Sequence, residues 1–220
     1  MDTELDAAIF DFGGVLTTPI RAAFAEFERA LGLPEQAILE AFRHQPPDSE
    51  PDFFLLEKGL ITEGDFYQRM YERLREFTGM DLPMPEDPAE VRRRMFGSLR
   101  RNDEMLQAAV RIGAQYKTAI LTNNVKEWHD WRELVDAHVF DLVIDSSHVG
   151  MRKPDPEIYH HTVRELGVAP ARAAFIDDIP TNVEGASAVG LRAIHFTTTE
   201  EVIAQLKPLF PRAFEETVHA

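Results

Sequence analysis

Short apolar runs that end in polar residues recur along this chain, as expected for buried strands that stop at one edge of a sheet. The run Ala7–Ala8–Ile9–Phe10 ends at Asp11, and Gly13–Gly14 then breaks the apolar pattern. Comparable strands are predicted at 118–122, 142–145, 173–177 and 192–196, with helices among them at 104–113, 156–167 and 183–190. Alternating strands and helices predict a parallel sheet with helices on both faces, an α/β fold with a Rossmann-like core.

The positions from about 18 to 96 follow the helical period instead. Phe24, Phe27 and Leu31 recur at i, i+3 and i+7, which places them on one helix face. Helices are predicted over 21–43, 53–60, 63–77 and 88–96. We therefore predict an α/β core made of residues 1–17 and 97–220, with a helical domain inserted at 18–96.

Polar side chains stand at three of the predicted strand ends: Asp11, Thr122 with Asn123, and Asp177 with Asp178. Ligands of parallel sheets bind at the carboxyl ends of the strands. A carboxylate placed there can act as a nucleophile or hold a metal ion. Two adjacent carboxylates repel each other unless a cation offsets their charge, and hard oxygen ligands favour Mg²⁺. The sequence therefore predicts a magnesium site at this edge.

A phosphate group suits the remaining polar residues. The Thr122 hydroxyl and the Asn123 amide match phosphate oxygens, and Lys153, followed by Pro154–Asp155–Pro156, supplies a positive point charge. The chain has 23 Lys and Arg against 38 Asp and Glu, a formal net charge of −15. Such a surface repels nucleic acid and anionic membranes, so neither is expected as a partner, and a small phosphorylated metabolite would need a site that carries its own positive charge.

Composition excludes other chemistry. The chain has no cysteine, which rules out disulfides, thiolate metal sites and a cysteine nucleophile. No apolar stretch is long enough to cross a membrane, and the N-terminus lacks the basic start of a secretory signal. We expect a cytoplasmic protein. Nothing in the sequence predicts an oligomeric state.

The four polar segments occur in an order that resembles the motifs of the haloacid dehalogenase (HAD) superfamily. The helical insert, with Glu57–Lys58–Gly59–Leu60–Ile61–Thr62 and Phe66, resembles the cap of subfamily I. Within that subfamily the motifs resemble the branch that includes the N-terminal phosphatase domain of soluble epoxide hydrolase. The motif residues are Asp11–Phe12–Gly13–Gly14–Val15–Leu16, Leu121–Thr122–Asn123–Asn124, Lys153–Pro154 and Phe175–Ile176–Asp177–Asp178.

The resemblance implies a magnesium-dependent phosphohydrolase that acts on a small phosphate monoester. Asp11 would attack phosphorus and form an aspartyl-phosphate, assisted by Lys153. Asp11, the Gly13 carbonyl and Asp178 would bind Mg²⁺, and Asp177 would ligate directly, through water, or hold Lys153. The resemblance also implies that Thr122, Asn123 and Lys153 bind the phosphoryl oxygens of the substrate.

One position departs from the pattern of active phosphatases in this superfamily. They usually carry a second aspartate, a general acid and base, two residues after the nucleophile, where this chain has Gly13. Loss of a general acid costs on the order of 10²–10⁴ in rate. His129 could supply the missing proton, although a lone histidine is usually structural.

Two alternatives to a phosphatase follow. The first is a phosphate-binding or regulatory protein with weak or no turnover, which Gly13 favours. The second is a 2-haloacid dehalogenase, against which the acidic pair Asp177–Asp178 argues, because a metal-free dehalogenase has no use for it.

Overall fold

The computed structural model describes residues 4–44 and 49–215. Residues 1–3, which belong to the N-terminus examined for a secretory signal, lie outside the described residues. Five parallel strands form one sheet in the order β3-β2-β1-β4-β5 within this part of the chain. The strands are β1 Ala7–Phe10, β2 Lys117–Thr122, β3 Leu142–Asp145, β4 Ala173–Asp177 and β5 Arg192–His195. The predicted α/β class with a parallel sheet is confirmed.

Helices occupy most of the remaining described residues. No helix in those residues is long and apolar enough to cross a membrane. Short 3₁₀ turns lie at Ala137–Val139 and Pro170–Arg172. The α-helices are α1 Ile20–Leu31, α2 Ala37–Arg43, α3 Asp52–Glu57, α4 Glu63–Thr78, α5 Pro88–Phe96, α6 Asp103–Gly113, α7 Trp131–Leu134, α8 Ser146–Val149, α9 Pro156–Leu166, α10 Pro180–Ala188, α11 Thr199–Leu206 and α12 Pro211–Phe214.

The central strand β1 is covered on both faces, which explains why its sequence is apolar without alternation. Ala8 and Phe10 point into one hydrophobic cluster, whereas Ala7 and Ile9 point into another. All four side chains are fully buried. Because β1 pairs with β2 on one side and β4 on the other, the residues that follow these three strands meet at one edge of the sheet.

Helices α1 to α5, the insert between β1 and β2, pack around a second hydrophobic cluster. The bounds 18–96 of a separate helical domain stay a prediction. The chain leaves the sheet and returns to it side by side, since Thr17 and Arg101 form an antiparallel bridge. The N–H of Thr18 also donates to the carbonyl of Arg100 at 2.8 Å. Val125, from the loop after β2, lies within the insert cluster and joins the insert to the sheet.

The prediction of one helix over 21–43 is wrong. Gly32 ends α1 in a left-handed conformation with φ of 68°, and α2 begins only at Ala37. The buried Glu28 carboxylate accepts the main-chain N–H groups of Gln36 at 3.0 Å and Ile38 at 2.9 Å. It therefore satisfies donors at the start of α2 that a continuous helix would have paired with carbonyls.

Other boundaries shift for local reasons. The helix predicted at 183–190 runs from Pro180 to Ala188, since proline is well suited to the first helical position. The helix predicted at 53–60 ends at Glu57. The short helices α7, α8, α11 and α12 were not predicted.

Candidate active site

Asp11 lies directly after β1, where the chain turns sharply. Its N–H still donates to the carbonyl of Ile176 at 2.9 Å, so the sheet fixes its position. The following turn depends on Gly14, which has φ of 83°. A Cβ at Gly14 would lie 2.2 Å from Asp178 Oδ2. Glycine at this position therefore lets the two carboxylates approach the same point.

Lys153 joins two of the strand ends. Its Nζ lies 2.7 Å from Asp11 Oδ1 and 2.7 Å from Asp177 Oδ2, and the side chain is 1% exposed. Burial lowers the pKa of Lys153, but the negative charges of Asp11 and Asp177 outweigh burial and raise it above the usual value. The lysine is therefore a permanent cation inside the site.

Asp177 and Asp178 have different surroundings although they are neighbours. Asp177 is fully buried and accepts hydrogen bonds from Lys153, from the N–H of Ile179 at 2.8 Å and from Asn182 Nδ2, 3.1 Å from each of its oxygens. Asp178 Oδ1 is buried and has no hydrogen-bond partner among the described residues. The carboxylate of Asp177 is thus occupied by hydrogen bonds to its neighbours, whereas Oδ1 of Asp178 is available to a ligand.

The cluster carries more negative than positive charge. Each of Asp11, Asp177 and Asp178 contributes a carboxylate oxygen, and these atoms lie within 4.8 Å of one another. Burial, and then the charge of Asp177, raises the pKa of Asp11 to about 8 and that of Asp178 to about 6, although Lys153 lowers both. When all three are deprotonated, the carboxylates leave two negative charges that the Lys153 ammonium does not compensate. A divalent cation with a preference for oxygen ligands fits this set.

Thr122 and Asn123 lie beside the cluster, and the Asn123 side chain contacts the main chain of Lys153. Asn123 Oδ1 accepts the N–H of Lys153 at 2.9 Å, and Asn123 Nδ2 donates to the carbonyl of Lys153 at 3.0 Å. The buried hydroxyl of Thr122 donates to the carbonyl of Asn123 at 3.4 Å. The Asn123 amide therefore supports Lys153, and phosphate binding by Thr122 and Asn123 remains a prediction.

Asn182 has a role that sequence reasoning missed. It lies inside α10, and its side chain reaches back to Asp177. Its spacing of five residues from the end of β4 was the available signal, because the first turn of the following helix returns over the strand end.

Gly13 faces an apolar side chain. Its backbone is ordinary, with φ of −74°, so no conformational demand requires glycine there. A Cβ at this position would lie 2.7 Å from Ile20 Cγ1, at the start of α1. Ile20 therefore takes the space that a second carboxylate would need. The metal contact of the Gly13 carbonyl stays a prediction.

A cleft of about 490 Å³ opens between the insert on one side and the loop after β2 with α8 on the other. His129 lies in its wall and is exposed. Trp128 instead stacks on Phe96 of the insert, with ring centroids 4.9 Å apart. The cleft residues are Gly59, Leu60, Ile61, Thr62, Asp65, Lys126, Glu127, His129 and His148.

Comparison with known proteins identifies the family to which the sequence is similar. The sequence model of haloacid dehalogenase-like hydrolases matches residues 5–190. Mouse bifunctional epoxide hydrolase 2 is 30% identical over 96% of this chain, which spans only 40% of that protein. A sesquiterpene phosphatase of Aspergillus oryzae is 28% identical, over 95% of this chain and 98% of that protein.

A similar fold is found among solved structures. A HAD family enzyme of Bacteroides thetaiotaomicron, solved in complex with magnesium and inorganic phosphate, superposes with a TM-score of 0.65. The two chains are 21% identical, and the match covers 98% of each.

Proposed function

The chain belongs to the haloacid dehalogenase-like hydrolases, and from this membership we propose that it hydrolyses small phosphate monoesters with Mg²⁺ as cofactor. The observation that carries the proposal is the cluster of three carboxylates around Lys153, with a buried Asp178 oxygen left without a partner. Such a set fits a cation and a transferring phosphoryl group together. The similarity to a sesquiterpene phosphatase over nearly the whole chain supports the reaction class.

The metal would be held by Asp11, Asp178 and the Gly13 carbonyl, with Asp177 contributing directly or through water. Bound Mg²⁺ supplies Lewis-acid stabilisation of the phosphoryl oxygens. Asp177 already accepts bonds from Lys153 and Asn182, so its main part is to hold these side chains.

Asp11 provides the nucleophile. One carboxylate oxygen attacks phosphorus, the bond from phosphorus to the ester oxygen breaks, and the electron pair leaves with that oxygen. The product on the protein is an acyl phosphate on Asp11, from which water releases phosphate and regenerates the carboxylate. Lys153 offsets the repulsion between the Asp11 carboxylate and the phosphate dianion, because its ammonium lies 2.7 Å from the attacking carboxylate.

The insert 18–96 would act as a cap. Val125 and Trp128 connect it to the loop after β2, directly behind the predicted phosphate-binding residues. A cap that closes over the strand ends excludes water and selects the organic part of the substrate.

The glycine at position 13 supports a second candidate function. The apolar contact with Ile20 leaves no carboxyl group at this position to protonate a leaving alcohol. A protein that binds phosphate and Mg²⁺ with little turnover is therefore the alternative.

Hydrolysis of p-nitrophenyl phosphate separates the two functions, because its leaving group needs little protonation. We expect turnover that requires Mg²⁺ and is lost in Asp11→Asn. Asp103→Asn, at an exposed ion pair with Arg101, is the matched control and should hydrolyse as the wild type does. Phosphate binding without hydrolysis by the wild type would support the alternative.

A further inference from the structure

The insert reaches the catalytic cluster through a buried carboxylate. Glu57 ends helix α3 and is 6% exposed. Its Oε2 accepts Arg152 Nε at 2.8 Å and Asn123 Nδ2 at 3.4 Å. Both donors belong to the α/β part of the chain, at sequence separations of 95 and 66 residues. Glu57, which belongs to the insert, therefore contacts two neighbours of Lys153. Arg152 precedes Lys153 in the chain, and Asn123 lies beside it in space.

Asn123 links Glu57 to Lys153. Its amide oxygen accepts the N–H of Lys153 and its amide nitrogen donates to the carbonyl of the same residue. An amide that is bonded to both main-chain groups of one residue fixes the position of that residue. The Lys153 ammonium in turn lies between Asp11 and Asp177.

The segment around Glu57 is also attached to α8 and to the loop that follows it. Ser146 Oγ donates to the carbonyl of Glu57 at 2.5 Å. The Arg152 guanidinium lies over the ring of Phe54, 3.7 Å from its centroid. A Cβ at Gly59 would lie 2.4 Å from the carbonyl oxygen of Ser147, so the turn after α3 packs closely on α8. The carboxyl end of α3 is thus held by side chain and main chain.

A contribution to stability does not by itself explain why Glu57 and Arg152 form a buried ion pair. The desolvation of two charges can exceed the gain from their attraction, and apolar residues of similar size often stabilise a fold equally well. However, a buried carboxylate that accepts hydrogen bonds from a guanidinium and an amide fixes the orientation of both donor groups. That property is useful where the amide orients a catalytic lysine.

We propose that Glu57 is a positioning residue for Lys153. The site is then complete only when the end of α3 packs against Asn123 and Arg152. The role of Lys153 in binding phosphate rests on the proposed function. The position of Lys153 does not, and it can be measured without turnover.

Amide hydrogen exchange at Lys153, followed by NMR, reads this position directly. Glu57→Gln removes the charge and keeps the shape. We expect it to speed exchange of the Lys153 N–H while amides of β1 keep their wild-type rates. Glu40→Gln is the matched control, since Glu40 lies on α2 of the insert and pairs with the exposed Arg43 at 2.5 Å. It should leave Lys153 exchange unchanged.

Kinetics give the second readout. Removal of outer partners of a metal or catalytic group costs about 10–100-fold in affinity or activity. For p-nitrophenyl phosphate we expect Glu57→Gln to lower kcat in that range, and Glu40→Gln to leave it unchanged. Because Glu57 acts through Asn123, its effect should largely disappear in an Asn123→Ala background.

The outcomes separate the two proposals. Wild-type exchange at Lys153 in Glu57→Gln would overturn the positioning role, and so would full additivity with Asn123→Ala. A wild-type protein without hydrolysis would overturn the proposed function, while the exchange data would still decide the role of Glu57.

Discussion

Lys153 and Asp11 form a buried ion pair in which Nζ lies 2.7 Å from Oδ1. The same ammonium lies 2.7 Å from Asp177, so one cation serves the ends of two adjacent strands. The residue after this lysine is a proline, and Asn123 fixes its main chain. Lys153 is therefore the residue on which the arrangement of the cluster depends.

Replacement of Lys153 by methionine should destabilise the metal-free protein. Removing one partner of a buried pair leaves an uncompensated charge, which costs about 3 kcal/mol or more. Urea unfolding at pH 8 in the presence of a chelator measures this. Lys58→Met, at an ion pair with a half-exposed partner, should cost less than about 1 kcal/mol. Equal losses in the two variants would contradict the central position of Lys153.

Stability of the metal-free protein should fall as pH rises from about 4 to about 8. The pKa of Asp11 is raised to about 8 and that of Asp178 to about 6, whereas unfolded aspartates titrate near 4. In that window the folded state holds protons that the unfolded state has lost, so deprotonation favours unfolding. Thermal unfolding of the wild type minus that of Asp11→Asn isolates the contribution of Asp11. A difference that does not change with pH would contradict the assignment.

Magnesium should reverse this trend. A cation binds the deprotonated carboxylates, so binding releases protons and tightens as pH rises through about 6 to about 8. The stabilisation by Mg²⁺ should be larger at pH 8 than at pH 6, as measured by the shift of Tm at a fixed metal concentration. A larger shift at pH 6 would rule out carboxylate ligation by these groups.

Asp177→Asn and Asp178→Asn should mainly lower different properties, the first the stability of the fold and the second the affinity for the metal. Asp178 has a buried oxygen without a partner, so its replacement should weaken Mg²⁺ binding at least about 10-fold and cost little stability. Asp177 accepts bonds from Lys153, Asn182 and Ile179, so its replacement should lower the free energy of unfolding. Calorimetric Mg²⁺ titration and urea unfolding test the pair. The reverse pattern would exchange their roles.

Much of the site could be predicted from sequence, because the carboxyl ends of parallel strands coincide. Asp11 follows β1 and Asp177 ends β4, and these strands are direct neighbours. The expected closeness of the carboxylates followed from the apolar runs alone. Lys153 lies on no strand, and its inclusion came from its place in the order of motifs.

The contacts that sequence reasoning missed are made by side chains that cross between elements. Glu57 lies 95 residues from Arg152, and no local pattern joins them. The break between α1 and α2 depends on Glu28, whose side chain caps the second helix from within the first. Asn182 reaches back to Asp177 from inside α10. Such contacts depend on tertiary packing, which periodicity does not encode.

Restoring an acid at position 13 requires room that Ile20 occupies. Gly13→Asp alone should destabilise the fold by about 1–3 kcal/mol through overpacking. In the double variant with Ile20→Ala, the carboxyl group has space and can protonate a leaving alcohol. Activity on an alkyl phosphate, relative to p-nitrophenyl phosphate, should then rise by on the order of 10². Ile20→Ala alone is the control and should leave the ratio unchanged, and a full gain from Gly13→Asp alone would contradict the contact.

The most direct measurement is the identification of the phosphorylated residue during turnover. The protein is quenched in acid while it hydrolyses p-nitrophenyl phosphate with Mg²⁺, and its peptides are analysed by mass spectrometry. We predict a phosphoryl group on Asp11 in the wild type and none on that peptide in Asp11→Asn. Phosphate release by the wild type with the phosphoryl group on another residue, or with Asp11→Asn fully active, would contradict the role of Asp11 as nucleophile.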